Sequence, residues 1–422
     1  MKKKFIFSLS LCVCLWVLSV GAEDQNKTSS EQKIQETQKA DLSTPDASYW
    51  NKMADGTVQA LIKNFWGASF PGHPRRYYFN YRSHQEDMST NHYWQQAHAM
   101  DVLVDAWLRT GDQQYLQYYP LWWEGAPRFN FAGRPEDRWW NDFVDDMEWI
   151  ALAQTRMYSS SGERAYIFKA RELFDTWIWP TWGPEEEAPW HGGITWKTDV
   201  AKSKNACSNG PAAILAARLY RFYDEAKLGE QQGAKPRTEY LEKSLKIYHW
   251  LKNKLFDPKT GEVFDNLNRR GEVGRAVYTY NQGTFLGAAH ELYQITGQKQ
   301  YLEDAVKAAD WVVEHMSNHN GTLSDSTRGD GGLFHGIFFR YFVILANEKG
   351  LDWDIRQKYH NYITRMAGVM AKEGINPKTM LYSGRWHSAP KDDESVALTA
   401  HLTGCMLMEA MCVLEPLPEK AQ

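Results

Sequence analysis

Cysteine is scarce in this chain: five in 422 residues, with Cys12 and Cys14 inside the first twenty positions. The other three, Cys207, Cys405 and Cys412, are odd in number and far apart, which excludes a disulfide framework and leaves room for one bridge at most. Cys405 and Cys412 are seven apart and share a helix face, a spacing that favours packing over catalysis. An excess of charge is missing too. Lys and Arg number 48 against 52 Asp and Glu, and no basic run follows Lys2-Lys3-Lys4, which argues against a nucleic-acid partner. Nor is there a cluster of Arg and Lys of the kind that grips acidic polymers. The apolar run Phe5–Val20 is short for a membrane span and gives way at once to Glu23-Asp24-Gln25-Asn26-Lys27.

That run has another reading. Three lysines, an apolar core and the small-residue site Val20-Gly21-Ala22 make residues 1–22 an export signal, with cleavage expected after Ala22. Leu11 before Cys12 makes a poor lipoprotein site. Residues 23–46, rich in Gln, Lys, Ser, Thr and Glu, read as a flexible tether. One domain is expected over 47–418, followed by a tail at 419–422. The expected location is the periplasm or the cell surface, and the expected state a monomer.

Strand signals are few, whereas helical periodicity recurs, as in Ala99-x-x-Val102-Leu103-x-x-Ala106-Trp107 and Ala212-Ala213-x-Leu215-Ala216-x-x-Leu219-Tyr220. A turn signature repeats beside it. Thr110-Gly111-Asp112-Gln113-Gln114-Tyr115-Leu116 matches Ser161-Gly162-Glu163-Arg164-Ala165-Tyr166-Ile167 and Thr296-Gly297-Gln298-Lys299-Gln300-Tyr301-Leu302, and more loosely the approach to Tyr240-Leu241. Glycine ends one helix in a left-handed conformation, a polar residue opens the next, and Tyr-Leu anchors it. A body of roughly 370 residues divided by a repeat of about 60 gives six helical hairpins. Six hairpins close into an all-α (α/α)6 barrel with loops forming a cleft at one end; an open α-solenoid is the competing fold.

Tryptophan is abundant. Of 19, ten fall in two segments, at 122, 123, 139, 140 and 149 and at 177, 179, 182, 190 and 196. Several sit beside Gly and Pro, where exposed aromatic faces can stack on pyranose rings. Burial of large aromatics is the competing reading and is expected to claim about half of them. Within WWNDFVDDMEW, residues 139–149, two adjacent aspartates lie between tryptophans. Asp145 with Glu148 three residues on matches a capping box at a helix start, and Asp145-Asp146 equally matches a carboxylate pair for acid and nucleophile work on a glycosidic bond. Asp142 reads as an orienting or turn-capping residue. Other candidate sites carry less. His315 and His319 have the spacing of zinc ligands but no accompanying Glu. Arg328-Gly329-Asp330-Gly331-Gly332 lacks the strand that precedes a phosphate loop, and Asp325 with Asp330 does not fit a calcium loop. No metal or cofactor is expected.

Taken in order along the chain, several segments resemble glycoside hydrolase family 76, the α-1,6-mannanases. They are Tyr93-Trp94-Gln95-Gln96-Ala97-His98-Ala99-Met100-Asp101, Asp145-Asp146-Met147-x-Trp149-x-x-Leu152-Ala153, Gly192-Gly193-Ile194-x-Trp196, Lys204-Asn205-Ala206-x-Ser208-Asn209-Gly210-Pro211, Tyr278-Thr279-Tyr280-Asn281-Gln282-Gly283 and Phe334-His335-Gly336-Ile337-Phe338-Phe339-Arg340. His335 departs from the Lys found in many relatives. The resemblance implies an (α/α)6 barrel that hydrolyses α-1,6-mannosidic bonds with retention, Asp145 as nucleophile and Asp146 as acid/base. The helix N-terminus is expected to keep Asp145 ionised, and its charge to hold the proton on Asp146. Trp94, Trp139, Trp140, Trp196 and Tyr280 are the expected sugar platform. Gln95, Asn205, Asn209, Asn281 and Gln282 are candidates for sugar hydroxyls, with helix capping an equal reading of the asparagines and of Gln282. The expected partner is a neutral polysaccharide, attacked within the chain. A non-catalytic mannan binder, or an inverting glycosidase, lyase or epimerase on the same ring, is the alternative.

Overall fold

The computed structural model describes residues 46–67, 76–83, 93–130, 132–198 and 203–420. The expected export signal, the tether up to residue 45 and the last two residues lie outside that set. Among the described residues no helix is long and apolar enough to cross a membrane.

Twelve α-helices are described: α1 Ala47–Phe65, α2 Tyr93–Thr110, α3 Tyr118–Phe129, α4 Val144–Ser161, α5 Arg164–Leu173, α6 Ala206–Phe222, α7 Arg237–Leu255, α8 Thr279–Thr296, α9 Lys299–His315, α10 Gly331–Ala346, α11 Trp353–Val369 and α12 Leu398–Val413. The even-numbered helices pack each against the next, and α12 returns to α2, closing an inner ring. The odd-numbered helices lie outside it, α5 on α4, α7 on α6, α9 on α8 and α1 on α12. This is an (α/α)6 barrel.

Composition decides which layer a helix takes. Inner α12 buries every residue from Leu398 to Met411, as a helix apolar all round must. Outer α9 buries a single stripe, Tyr301, Leu302, Asp304, Ala305, Ala308, Ala309 and Val312, and leaves its other face to solvent. Burying one such Leu or Val side chain contributes about 1.5–3 kcal/mol, so a one-sided stripe suffices to hold an outer helix on the ring. The repeated turn is the hinge between layers. Gly111, Gly162 and Gly297 have φ of 66°, 75° and 68°, and each amide closes the preceding helix on a carbonyl four residues back at 2.8 Å. A side chain would meet nothing at these sites, so the left-handed backbone is what calls for glycine. Tyr115, Tyr166, Tyr240 and Tyr301 are all buried under the turns.

An all-α reading overlooks one element. Lys204–Asn205 (β1), Phe264–Leu267 (β2) and Val273–Val277 (β3) form an antiparallel sheet in the order β1-β2-β3, with Asn205 opposite Asn266. Strands of two to five residues carry little alternation to read. β1 runs straight into α6 and β3 leads into α8, so the sheet stands at the end of the ring where those inner helices begin. Cys207, Cys405 and Cys412 are free thiols, and no bridge forms among them.

Candidate active site

The first turns of inner helices surround a cavity of about 930 Å³. Trp94 begins α2, Asp145 and Asp146 begin α4, Cys207 begins α6, Tyr280 begins α8, and Asp330 and Phe334 open α10. Helix N-termini gather partial positive charge at their amides, so a ring of them suits carboxylates and developing negative charge. Among the described residues, five aspartates line the cavity, Asp142, Asp145, Asp146, Asp265 and Asp330, and no Lys or Arg does.

Asp145 does not cap α4. Phe143 holds the cap position with extended backbone and no side-chain bond, its own amide donates to Asn141 Oδ1 at 2.9 Å, and Val144 N donates to Trp196 O at 2.9 Å. Asp145 and Asp146 therefore fall inside the first turn and open in part onto the cavity. Glu148, the other half of the expected capping box, is fully buried, and neither of its carboxyl oxygens has a hydrogen-bond partner among the described residues. The capping-box reading is wrong, because the chain reaches the helix as an extended strand pinned to Trp196.

Enclosure by the ring pushes the Asp145 carboxyl up to about 7, with the Asp330 charge adding to the rise; the Cys207 thiol and the amides of Asp145 and Asp146 pull the other way. Burial also drives Asp146 well above the carboxylate range, followed by repulsion from Asp145 and Asp330. The expected helix-terminus effect on Asp145 is present but loses to burial. The order of the two follows from their partners: the Cys207 thiol and two amides favour the charge on Asp145, whereas every cause at Asp146 opposes it. Burial, then the Asp145 charge, keeps Glu148 protonated as well.

Four of the expected binding residues reach the cavity. Trp94, Trp196, Asn205 and Tyr280 all line it, with Trp196 37% exposed, enough for a ring face to be offered. Trp94 Nε1 donates to Asp330 Oδ1 at 3.2 Å. Tyr280 stacks on Phe334 with ring centroids 3.9 Å apart.

The others do not reach it. Trp139 is buried between Trp122 and Trp123, and Trp140 is buried under the Arg134 guanidinium at 3.7 Å and beside Trp177. Of the ten clustered tryptophans only Trp149 and Trp196 border the cavity, so packing of loops on the ring claims most of them. Gln95 is buried away from the cavity. Asn209 holds the loop before α6, donating to Ile194 O and Asn205 O and accepting from Ile194 N. Gln282 ties the approach to β2, accepting from Val263 N and donating to Gly261 O and Ala308 O. Asn281 is buried and donates to Asp265 Oδ1 at 3.2 Å, which places it behind a cavity residue. A buried Asn or Gln satisfies loop backbone as readily as sugar, and sequence alone does not separate the two uses.

Several cavity residues were not singled out as site residues. Asp265 and Asn266 ride on β2, whose four residues, Phe264-Asp265-Asn266-Leu267, do not alternate and so give no strand signal. Tyr278, 39% exposed, and Phe334 lay in matched segments without standing out. In sequence Asp330 stands out only as part of a loop that fits neither calcium nor phosphate, and Cys207 only as one of three sparse cysteines with room for a single bridge. His335, at the departure from Lys, is buried, with Nδ1 against Thr279 Oγ1 at 2.9 Å and Nε2 against Ser324 O at 3.0 Å. Burial lowers it to about 4, so it packs as a neutral ring behind the cleft. Among the described residues, no three His, Cys, Asp or Glu side chains are arranged to hold a metal ion.

The sequence profile of Glycosyl hydrolase family 76 matches residues 49–421. A search among curated proteins found no match. The chain is similar to an inactive variant of the α-1,6-mannanase of Salegentibacter sp. HEL1_6, with two adjacent aspartates replaced by alanine, in complex with α-1,6-mannotetrose. Identity is 34% over 87% of this chain and 99% of that one, with a TM-score of 0.75. A protein from Listeria innocua is 28% identical over 86% of this chain and 96% of its own, with a TM-score of 0.72. A family 76 mannosidase of Bacteroides thetaiotaomicron, 20% identical over 87% of this chain and 98% of its own with a TM-score of 0.69, shares the fold. A profile match that spans the whole ring, joined to a solved relative about one-third identical along its full length, makes this chain a member of glycosyl hydrolase family 76 and a glycoside hydrolase.

Proposed function

We propose that this hydrolase cleaves α-1,6-mannosidic bonds within mannan and that it retains anomeric configuration. The observation that carries the reading is the Asp145-Asp146 pair, two consecutive carboxyls in the first turn of α4 that open onto one cavity. Adjacent residues of a helix diverge by about 100°, so carboxyls about 5 Å apart are within reach, the separation of retaining pairs and too tight for the water of an inverting one. The mannanase it resembles loses activity when two adjacent aspartates are replaced and holds an α-1,6-linked mannooligosaccharide. Among the described residues the lining holds no Lys or Arg, which suits a neutral sugar better than a polyuronate.

Chemistry follows from the proton order. Asp146 delivers its proton to the glycosidic oxygen as the Asp145 carboxylate attacks the anomeric carbon from the opposite side. The C–O bond to the departing chain breaks and a mannosyl ester on Asp145 forms. Asp146, now a carboxylate, takes a proton from a water that attacks the same carbon; the ester opens, and both side chains return to their starting states. Attack from within the polymer is supported by the size of the cavity, about 930 Å³, which is near the upper end for small-ligand pockets and offers room beyond one ring. Export by residues 1–22 to the periplasm or cell surface, and action as a monomer whose cavity is built within one ring, complete the proposal. Incubation of the purified protein with linear α-1,6-mannan, with products resolved by size, tests it. A ladder of short oligosaccharides is expected. Mannose alone from the outset contradicts internal cleavage, and activity confined to acidic polysaccharides contradicts the substrate.

A further inference from the structure

The glycine-rich loop Arg328–Gly332 has no role in the mechanism above, yet it places a carboxylate in the same cavity. Around the ring, α10 stands three places from α4 in either direction, so Asp330 faces Asp145 and Asp146 from across the axis. Its position is built. Gly329 takes a φ of 63°, and a Cβ on Gly332 would lie 2.6 Å from Thr399 Oγ1 and 3.0 Å from Ala400 N, so the start of α10 lies hard against α12. Trp94 Nε1 donates to Asp330 Oδ1 at 3.2 Å, which fixes the carboxyl while Oδ2 takes no hydrogen bond among the described residues. Among the described residues no ion pair neutralises it, and the side chain is exposed. One turn further along α10, Phe334 stacks on Tyr280 at 3.9 Å with planes 12° apart, and Tyr278 sits 5.5 Å from Phe334.

A carboxylate beside a stacked aromatic wall is the pair of surfaces a pyranose needs. Its C–H face lies on the rings, and adjacent hydroxyls donate to the free carboxylate oxygen. We propose that Asp330 and Phe334, with Trp94 as the brace, form a hexose subsite opposite the catalytic pair, and that Asp330 is a specificity-determining residue that binds ring hydroxyls without taking part in proton transfer. This rests on the mannanase reading and names the residues that hold one of its sugar units. Asp330 confers selectivity because a charged acceptor left dry by a ring lacking those hydroxyls is costly to bury.

The test is steady-state kinetics on α-1,6-mannotetraose with wild type, Asp330→Asn and Asp330→Ala. Asn keeps an acceptor for Trp94, so Tm should stay at the wild-type value. Asp330→Ala should raise KM on the order of tenfold to hundredfold, the loss of a hydrogen bond to a charged group, with kcat within a few-fold when each protein is read at its own pH optimum, because loss of the Asp330 charge moves both catalytic carboxyls down. Asp330→Asn should fall between the two. Phe334→Ala should also raise KM at little change in kcat. An unchanged KM in both Asp330 variants overturns the subsite while leaving the mannanase reading standing. A collapse of kcat at constant KM overturns it as well, because Asp330 would then belong to the reacting groups. Wild type inert on the tetraose and on mannan overturns the mannanase reading itself, and the subsite with it.

Discussion

Tyr280 and Phe334 stack at 3.9 Å with planes 12° apart, one ring from the first turn of α8 and the other from the first turn of α10. The contact joins two neighbouring inner helices and sets both rings on the lining of the cavity that Asp145 and Asp146 also border. Trp196 supplies a second exposed face beside Phe143, at 5.1 Å. Neither is part of the packed interior in the way Trp139 and Trp140 are, and truncation should separate the two classes.

Trp196→Ala should weaken binding of mannooligosaccharides by about tenfold, a stacking contribution of order 1 kcal/mol or slightly more, with Tm nearly unchanged. Trp140→Ala should do the reverse. It removes a buried indole and the Arg134 contact, a loss of about 3–5 kcal/mol in stability. Thermal melts and binding isotherms on both variants check this, and a Trp140→Ala protein as stable as wild type would place that indole on the cavity after all.

The ring was legible from the sequence because its signals are strong and repeated. Gly111, Gly162 and Gly297 end three inner helices in the left-handed conformation the repeat implied. Four buried tyrosines follow or anchor the turns. The Asp145-Asp146 pair, proposed as catalytic, stands out because like charges seldom adjoin among tryptophans. Its partners were harder to see. Asp265 and Asn266 come from a four-residue strand, and Asp330 from the end of a loop, so their meeting depends on ring closure over more than sixty intervening positions that no local pattern records. Asn209 and Gln282 misled for the opposite reason, since a side chain that pins a loop and one that binds a hydroxyl look alike in sequence.

Activity against pH should report the unequal pair. Asp145 must be ionised to attack, so kcat/KM should fall as pH drops through its pKa, and burial places that limb near 7 instead of in the acid range of an ordinary aspartate. Asp146 must hold its proton, and the alkaline limb should lie above it. A profile flat down to about pH 4 would show that Asp145 keeps an ordinary pKa.

Glu148 offers a stability counterpart. Its folded-state pKa is raised above the unfolded value of about 4.3, so folding takes up a proton and stability declines as pH rises past that value. Glu148→Gln removes the titration and keeps the shape. Tm should rise relative to wild type at about pH 8 and match it at about pH 4. Equal melting at both pH values would mean that Glu148 is hydrated and ionised in the folded protein.

The two aspartates should fail differently. Asp145→Asn removes the attacking oxyanion, and turnover should drop by orders of magnitude, while melting is unchanged or higher because a buried repulsive charge is gone. Asp146→Ala should lose about 10²–10⁴-fold on mannan and less on substrates with activated leaving groups. Azide should partly rescue Asp146→Ala by standing in for the base-activated water. Asp145→Asn that is folded and fully active would leave the pair without a nucleophile.

Stereochemistry tests the central claim most directly. Proton NMR of the first reducing ends released from an α-1,6-mannooligosaccharide records the anomer before mutarotation. Two displacements at the same carbon, the first by Asp145 and the second by water, predict the α anomer in the earliest spectra. The β anomer appearing first would mean a single displacement by water, and would contradict Asp145 as nucleophile.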